Sequence, residues 1–424
     1  MINRLLNILK NDNELSDFKI NYDETKSGEV FYVFDKIETI RMTNTLTVNV
    51  TIYIAHDGAL GMKSFLVSSA ATDEEIKQKI NEAKIVAKTI NNEKFDLVEN
   101  IKSDDKLDFI FENDNLLDVA KKVGSALLDV KTNKNSGINA LEVFVSNITK
   151  GIINSKGVDR KVHTSSLFVE AIPTFTKDDE SVELYESLET KELNFDKLRE
   201  EIKEKLEEVE NRYNAIKPLK ELDLDVALRA KELTDLFGEL VYDYHYSVIY
   251  SHSNILTVGD KLQTEPKYDK INLTLRGKIP GVSESALFDS DGTTLIDTKV
   301  IDNGVVSGSF GPKRYADYLK CKANGNLSCL DLEKGNLKMS SYDKPYLEVV
   351  SMSGLQFDPY NDYIGGEVRL AYIHEGKDIT PITGISISAS LKDVLNKVRF
   401  SAEEGKTNAY RGPKYALFEG FKIN

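Results

Sequence analysis

Apolar and polar residues alternate along the first part of the chain in the manner of a half-buried sheet. Phe31-Tyr32-Val33-Phe34 and Leu46-Thr47-Val48-Asn49-Val50-Thr51-Ile52-Tyr53-Ile54 place apolar side chains on one face and Thr or Asn on the other. Asp57-Gly58-Ala59-Leu60-Gly61 signals a turn, and a short strand follows at Phe65-Leu66-Val67. The period then changes. Thr72 with Glu75 three residues later forms a capping box, and Ile76, Ile80, Ala83 and Ala87 recur at helical spacing. The order predicted is strands followed by a helix packed on them.

A second region repeats this mixture. Leu116, Val119, Ala120, Val123 and Leu127 mark an amphipathic helix, and strands are predicted at Leu141 to Val145 and Ser166 to Ala171. Ile153-Asn154-Ser155-Lys156-Gly157-Val158 lies between them and reads as a glycine turn. From Asn194, Phe195, Leu198, Ile202, Leu206, Val209 and Tyr213 form one apolar stripe on a charged helix, which Pro218 is expected to end. A further helix is predicted from Asp225 to about Tyr242; beyond it the chain is strand-rich with regular turns up to Asn424. The fold class is therefore α+β: an N-terminal α/β region of strands and long helices, then a large strand-rich antiparallel barrel- or sandwich-like C-terminal domain. The expected domains are 1–102, 103–217 and 218–424, the last opening on the helix of about 225–242.

Composition narrows the function classes. Of 424 residues, 69 are acidic and 55 basic, a net charge of −14 with no basic cluster, which disfavours a nucleic-acid partner. Met1 to Lys10 reads as an amphipathic first helix rather than a signal peptide, and no apolar run approaches membrane-spanning length. The two cysteines, Cys321 and Cys329, fit a reducing compartment, and a cytoplasmic location is expected.

Catalytic signatures are sparse. The histidines are His56, His163, His245, His252 and His374, and no two have a usual zinc-helix spacing. His245 and His252 would stand two turns apart on a continuous helix, too far to share one ion. His374-Glu375 continues into Gly376-Lys377 without a second histidine and reads as a hairpin. Asp289-Ser290-Asp291-Gly292 lacks the strand-to-helix setting of a nucleophile elbow, and Ser351-Met352-Ser353-Gly354 has no base placed near it. Gly405-Lys406-Thr407 lacks the earlier glycine of a phosphate loop.

One larger pattern stands out. Phe288-Asp289-Ser290-Asp291-Gly292, Ile301-Asp302-Asn303-Gly304-Val305, Ala323-Asn324-Gly325-Asn326, Phe357-Asp358-Pro359-Tyr360, Gly365-Gly366-Glu367-Val368, Gly376-Lys377-Asp378-Ile379-Thr380-Pro381-Ile382, Arg411-Gly412-Pro413-Lys414 and Gly420-Phe421 follow one another. In that order the chain resembles the TldD/TldE (PmbA) family of peptidase-like proteins, also called modulators of DNA gyrase. Catalytic members carry H-E-x-x-x-H on the helix that opens the third domain, two histidines binding zinc and the glutamate polarising water. The matching stretch here is Leu233-Thr234-Asp235-Leu236-Phe237-Gly238-Glu239. Thr234 and Glu239 stand at the degenerate histidine positions and Asp235 at that of the glutamate. A neutral hydroxyl is a poor zinc ligand, two carboxylates on one helix read as a solvated face, and Asp235 is one methylene short.

The resemblance therefore implies a non-catalytic TldE/PmbA-like subunit, a pseudoenzyme without catalytic residues or a metal of its own. It would pair with a zinc-bearing TldD-like H-E-x-x-x-H subunit, or with itself, as a dimer that encloses unfolded peptides for proteolysis and peptide maturation. The family's cavity suggests peptide contacts near Gly354, Gly365 and Gly366, since an added strand needs exposed backbone and little side-chain obstruction. The alternatives are a metallopeptidase with an atypical site including Asp235 and Glu239, and a homodimeric peptide-binding protein without catalysis. A gyrase-associated regulator conflicts with the acidic balance.

Overall fold

The computed structural model describes residues 1–424. The N-terminal half runs α1 (Ile2–Lys10), β1 (Asp17–Val33), β2 (Lys36–His56), β3 (Ala59–Val67), α2 (Asp73–Ala87), β4 (Lys102–Lys106) and α3 (Leu116–Leu128). It continues through β5 (Ser136–Asn154), β6 (Asp159–Lys177), β7 (Glu180–Glu183), β8 (Glu186–Thr190) and α4 (Phe195–Asn214). The capping box forms as predicted: Glu75 N–H donates to Thr72 Oγ1 at 3.2 Å and Thr72 N–H to Glu75 Oε2 at 2.7 Å.

All eight strands join one sheet, ordered β3-β2-β1-β5-β6-β4, with β7 and β8 also on β6. It runs across the boundary expected at 102/103, and just past that point β4 pairs in parallel with residues 159–163 of β6. The long β1 makes this continuity, pairing with β2 along one edge and with β5 along the other. One face of the sheet carries two cores side by side. Phe18, Ile20, Val48, Val50 and Ile52 bury under α1 and α2, while Val30, Tyr32, Val143, Val145, Leu167 and Val169 bury under α3 and α4. α4 ends at Asn214, ahead of Pro218. The chain leaves the helix because Ala215 is extended and Ile216 bonds to Pro381 O and Thr383 N.

The C-terminal half opens on a strand, not a helix: residues 225–229 form β9 (Asp225–Arg229), and the helix α5 is confined to Ala230–Tyr242. Val226, Ala227 and Leu228 are wholly buried. A central strand covered on both faces requires such a continuous apolar run, and length decides between strand and helix only once neighbours are in place. After α5 come α6 (Tyr246–Tyr250), β10 (Leu273–Arg276), β11 (Thr298–Asp302), β12 (Val305–Val306), α7 (Lys313–Tyr318) and β13 (Cys329–Leu332). Next are β14 (Tyr346–Met352), β15 (Gln356–Asp358), β16 (Tyr363–Glu375), β17 (Asp378–Ile382), β18 (Ile385–Ser390) and α8 (Leu391–Asn396). The last strands are β19 (Val398–Phe400), β20 (Glu404–Lys406), β21 (Tyr410–Pro413), β22 (Tyr415–Phe418) and β23 (Lys422–Ile423).

These strands make a six-stranded sheet, β12-β11-β10-β13-β21-β20, and a nine-stranded sheet, β19-β22-β9-β14-β16-β18-β23, with β15 and β17 also on β16. Both sheets and α5 contribute to a single core of 37 buried residues. The α+β class and the strand-rich C-terminal half agree with expectation. No helix is long and apolar enough to cross a membrane.

The two halves are joined by specific contacts. Lys19 Nζ reaches Asp291 Oδ1 at 2.5 Å, and Arg160 donates to Gly292 O at 3.1 Å and Thr294 Oγ1 at 2.9 Å while lying over the Phe288 ring at 4.4 Å. Asp289 shapes this loop by accepting from the N–H groups of Asp291 and Thr293. The Phe288 to Gly292 motif thus serves as a docking surface for the N-terminal sheet.

Candidate functional site

The amphipathic pattern of α5 fixes what it presents. Leu233, Leu236, Phe237, Leu240 and Val241 enter the core, which turns Asp235 and Glu239 to the exposed side and leaves Thr234 between. Thr234 Oγ1 is 2.7 Å from Ala230 O, to which it donates, and 2.9 Å from Thr407 Oγ1 at the β20–β21 turn. This hydroxyl works as a helix-to-hairpin clasp. Burial raises the Asp235 carboxyl above its ordinary range, Lys231 opposing and Glu239 adding to the shift.

No histidine joins these residues. His245 bonds to Ser247 and Asn326, His163 to Thr149 and Asp104, His56 to Ile90 O, and His374 to Glu348. His245 caps α6, and His252 sits beyond its end with a positive φ, so the two do not share a helix. His374 and Glu375 end β16 before a two-residue turn, the hairpin expected. No three His, Cys, Asp or Glu side chains gather in a metal-holding arrangement. The donor set on α5, one committed hydroxyl and two exposed carboxylates, does not fit zinc.

Gly365 and Gly366 lie near the start of β16, whereas α5 packs on β9, β13, β21 and β22. Gly365 pairs with Gln356 on one side and Ser388 on the other, so its backbone has no free edge for an added strand. Gly366 pairs with Ile387, and a Cβ there would stand 2.3 Å from Gly354 O. These two glycines admit neighbouring backbone of the same domain. Gly354 has φ +154 and open space around it.

Two features escape a reading of the sequence. The first is Glu232, which is buried, with Oε2 lacking any hydrogen-bond partner. Its place four residues before Leu236, on the apolar face, is the one signal that could have found it. Burial, only partly offset by its own backbone hydrogen bond, pushes its carboxyl up to about 7. For an acid whose folded value is raised, stability is full below the unfolded value near 4.5 and is lost as pH rises through about 7. Glu232→Gln is therefore expected to leave stability at pH 5 nearly unchanged and to raise it at pH 8 by about 2 kcal/mol, measured by urea unfolding at both pH values.

The second is a buried ionic network at the start of α5. Arg229 contacts Glu208 at 2.5 Å, Glu348 at 2.7 Å and Glu204 at 3.3 Å. Glu348 also bonds to His374 at 2.7 Å, whose ring stacks on Tyr346 with centroids 4.4 Å apart. The network ties α4 to β9, β14 and β16, residues far apart in sequence.

With this geometry in place, comparison with known proteins is informative. Residues 223–424 match the model of the PmbA/TldA metallopeptidase C-terminal domain. The whole chain superposes on the crystal structure of TldE from Thermococcus kodakarensis with a TM-score of 0.82 and 17% identity, covering 100% of this chain and 99% of that one. A proposed modulator of a DNA gyrase from Thermotoga maritima gives a TM-score of 0.80 and 16% identity at the same coverage. A similar protein from Bacteroides thetaiotaomicron gives 0.79 and 13%, covering 99% and 97%. At these identities the structural likenesses establish the fold. A search of curated protein sequences finds no match.

Proposed function

Because the chain belongs to the TldD/TldE (PmbA) family through its C-terminal domain, we propose that it is a non-catalytic, TldE-like subunit. It pairs with a zinc-bearing subunit of the TldD type and helps enclose and hold unfolded peptides for cleavage there. The observation that carries this reading is the chemistry of α5. At the family's metal positions stand Thr234, already bonded to Ala230 O and facing Thr407, and the exposed Asp235 and Glu239. Water activation by a metal needs ligands that hold the ion and a carboxylate aimed at its water. The whole-chain likeness to TldE supports the same assignment at the level of fold.

The test is elemental analysis of the purified chain, loaded with zinc and exhaustively desalted. The expected content is below about a tenth of an ion per chain, because one hydroxyl and two solvated carboxylates retain zinc weakly. Near one retained ion per chain would overturn the non-catalytic assignment. Pairing is tested separately by co-expression with a family member carrying H-E-x-x-x-H. A complex that survives size-exclusion chromatography is expected, and strict self-association would argue for the homodimeric alternative.

A further inference from the structure

The seam between the two halves holds a cleft of about 450 Å³. One wall is the connection from α2 to β4, residues 96–101; the other is residues 293–296, with Lys313 and Ala323 beside them. The first wall is held by its neighbours at alternate residues. Asp96 N–H donates to Asp317 Oδ2 at 2.9 Å, Val98 O accepts from Asn154 Nδ2 at 2.7 Å, and Asn100 N–H donates to Lys156 O at 3.1 Å. The second wall is held by an antiparallel bridge between Phe288 and Thr294. Its two bonds run from Asp289 N–H to Thr293 O at 3.0 Å and from Leu295 N–H to Leu287 O at 3.1 Å.

These bonds leave main-chain groups unpaired on both walls. The N–H and C=O groups of Leu97 and Glu99, and those of Thr294, make no hydrogen bond within the chain. At a bridge whose bonds are made by the flanking residues, the central residue turns its own groups away from its partner, here away from Phe288. Main-chain groups in a folded protein are almost all paired unless water or a ligand reaches them. Thr293, which also lines the cleft, is 8% exposed, and its Oγ1 is buried without a partner. Leu97, Ile101, Ile296 and Ala323 supply apolar surface between the two walls. Of the charged lining residues, Lys313 is engaged by Asp317, while Asp96 and Glu99 are exposed to solvent.

We infer that this cleft receives a short stretch of extended peptide as an inserted strand. Its N–H and C=O groups pair with those of Leu97 and Glu99 on one wall and of Thr294 on the other. Apolar side chains on one side of it rest against Leu97, Ile101 and Ile296. Unpaired main-chain donors and acceptors on two walls select another main chain, the logic of strand addition. The volume admits a few residues and no folded partner. Recognition through the main chain leaves the peptide's sequence largely open, as a holder of unfolded chains requires. This assignment rests on the peptide-holding role proposed above and places one contact of that role at the seam of the two halves.

The experiment uses the full chain and two fluorescein-labelled peptides of about eight residues alternating serine and valine. One is ordinary; the other is N-methylated at every serine, which removes the N–H groups of one edge and keeps the side chains. Fluorescence anisotropy is expected to show the methylated peptide binding about tenfold more weakly. The amides of Leu97, Glu99 and Thr294 exchange hydrogen freely when unpaired, and their exchange should slow about tenfold or more when the ordinary peptide is added. Ile296→Lys alters a side chain that is 42% exposed, so the protein should still fold, and affinity should fall about fivefold. Equal binding of the two peptides, unchanged affinity in Ile296→Lys, or binding without slowed exchange at those amides overturns the cleft assignment and leaves the holding role intact. Failure of both peptides to bind overturns the cleft and the holding role together.

Discussion

Arg229→Met is expected to destabilise the protein by about 3–5 kcal/mol, the cost of leaving buried carboxylates without their cation. The side chains of Glu208 and Glu348 are 4% and 9% exposed, and both lie within 3 Å of the Arg229 guanidinium. Lys205 at 2.9 Å from Glu208 and His374 at 2.7 Å from Glu348 soften the loss but do not sit between the two carboxylates as Arg229 does. Glu204 is more open at 44% exposure, so Glu204→Gln should change stability by less than about 1 kcal/mol. Chemical unfolding of the three proteins checks this ordering.

The pH dependence sharpens the test. Burial pushes the Glu348 carboxyl up, but His374 and Arg229 outweigh it and hold it below its ordinary range. A depressed carboxyl contributes stability above its unfolded value near 4.5 and loses it as pH falls through the folded value. The gap between the native protein and Arg229→Met should therefore be widest near neutrality and shrink below about pH 4.5. A gap that stays constant with pH would mean that Arg229 acts through packing alone.

Gly366→Ala is expected to lose about 3 kcal/mol of stability, an overpacking cost at the high end because the obstruction is backbone. Its Cβ would stand 2.3 Å from Gly354 O and 2.8 Å from Met352 Cε. The methionine can swing aside; the carbonyl can move only with the chain around Ser353, whose N–H is bonded to Glu367 O at 3.0 Å. Thermal unfolding measures the loss. The same variant separates two meanings of this glycine. If Gly366 serves the packing of its own domain, peptide affinity of the folded fraction stays unchanged. Normal stability with weakened peptide binding would instead restore it as a peptide contact.

Local elements were legible because each rests on side chains close in sequence. The capping box at Thr72 and Glu75, the stripe of α4 from Leu198 to Val209 and the glycine turn at Gly157 all depend on neighbours within a few residues. The helical spacing of Thr234, Asp235 and Glu239 was equally plain, since a helix sets its own spacing. The sequence also determined the α+β class and the strand-rich C-terminal half.

Tertiary structure decided the rest. Val226-Ala227-Leu228 became a central strand because β14 and β22 flank it, a fact no local pattern contains. The boundary near 102 dissolved into one sheet because β1 pairs with β5 across more than a hundred residues of chain. Gly365 and Gly366 turned out to be walled in by strands that return from elsewhere. The network around Arg229 joins residues from four separate elements. Spacing along a chain specifies which face a side chain takes; which other face it meets depends on long-range pairing, whose energy is shared among many contacts and written in no single segment.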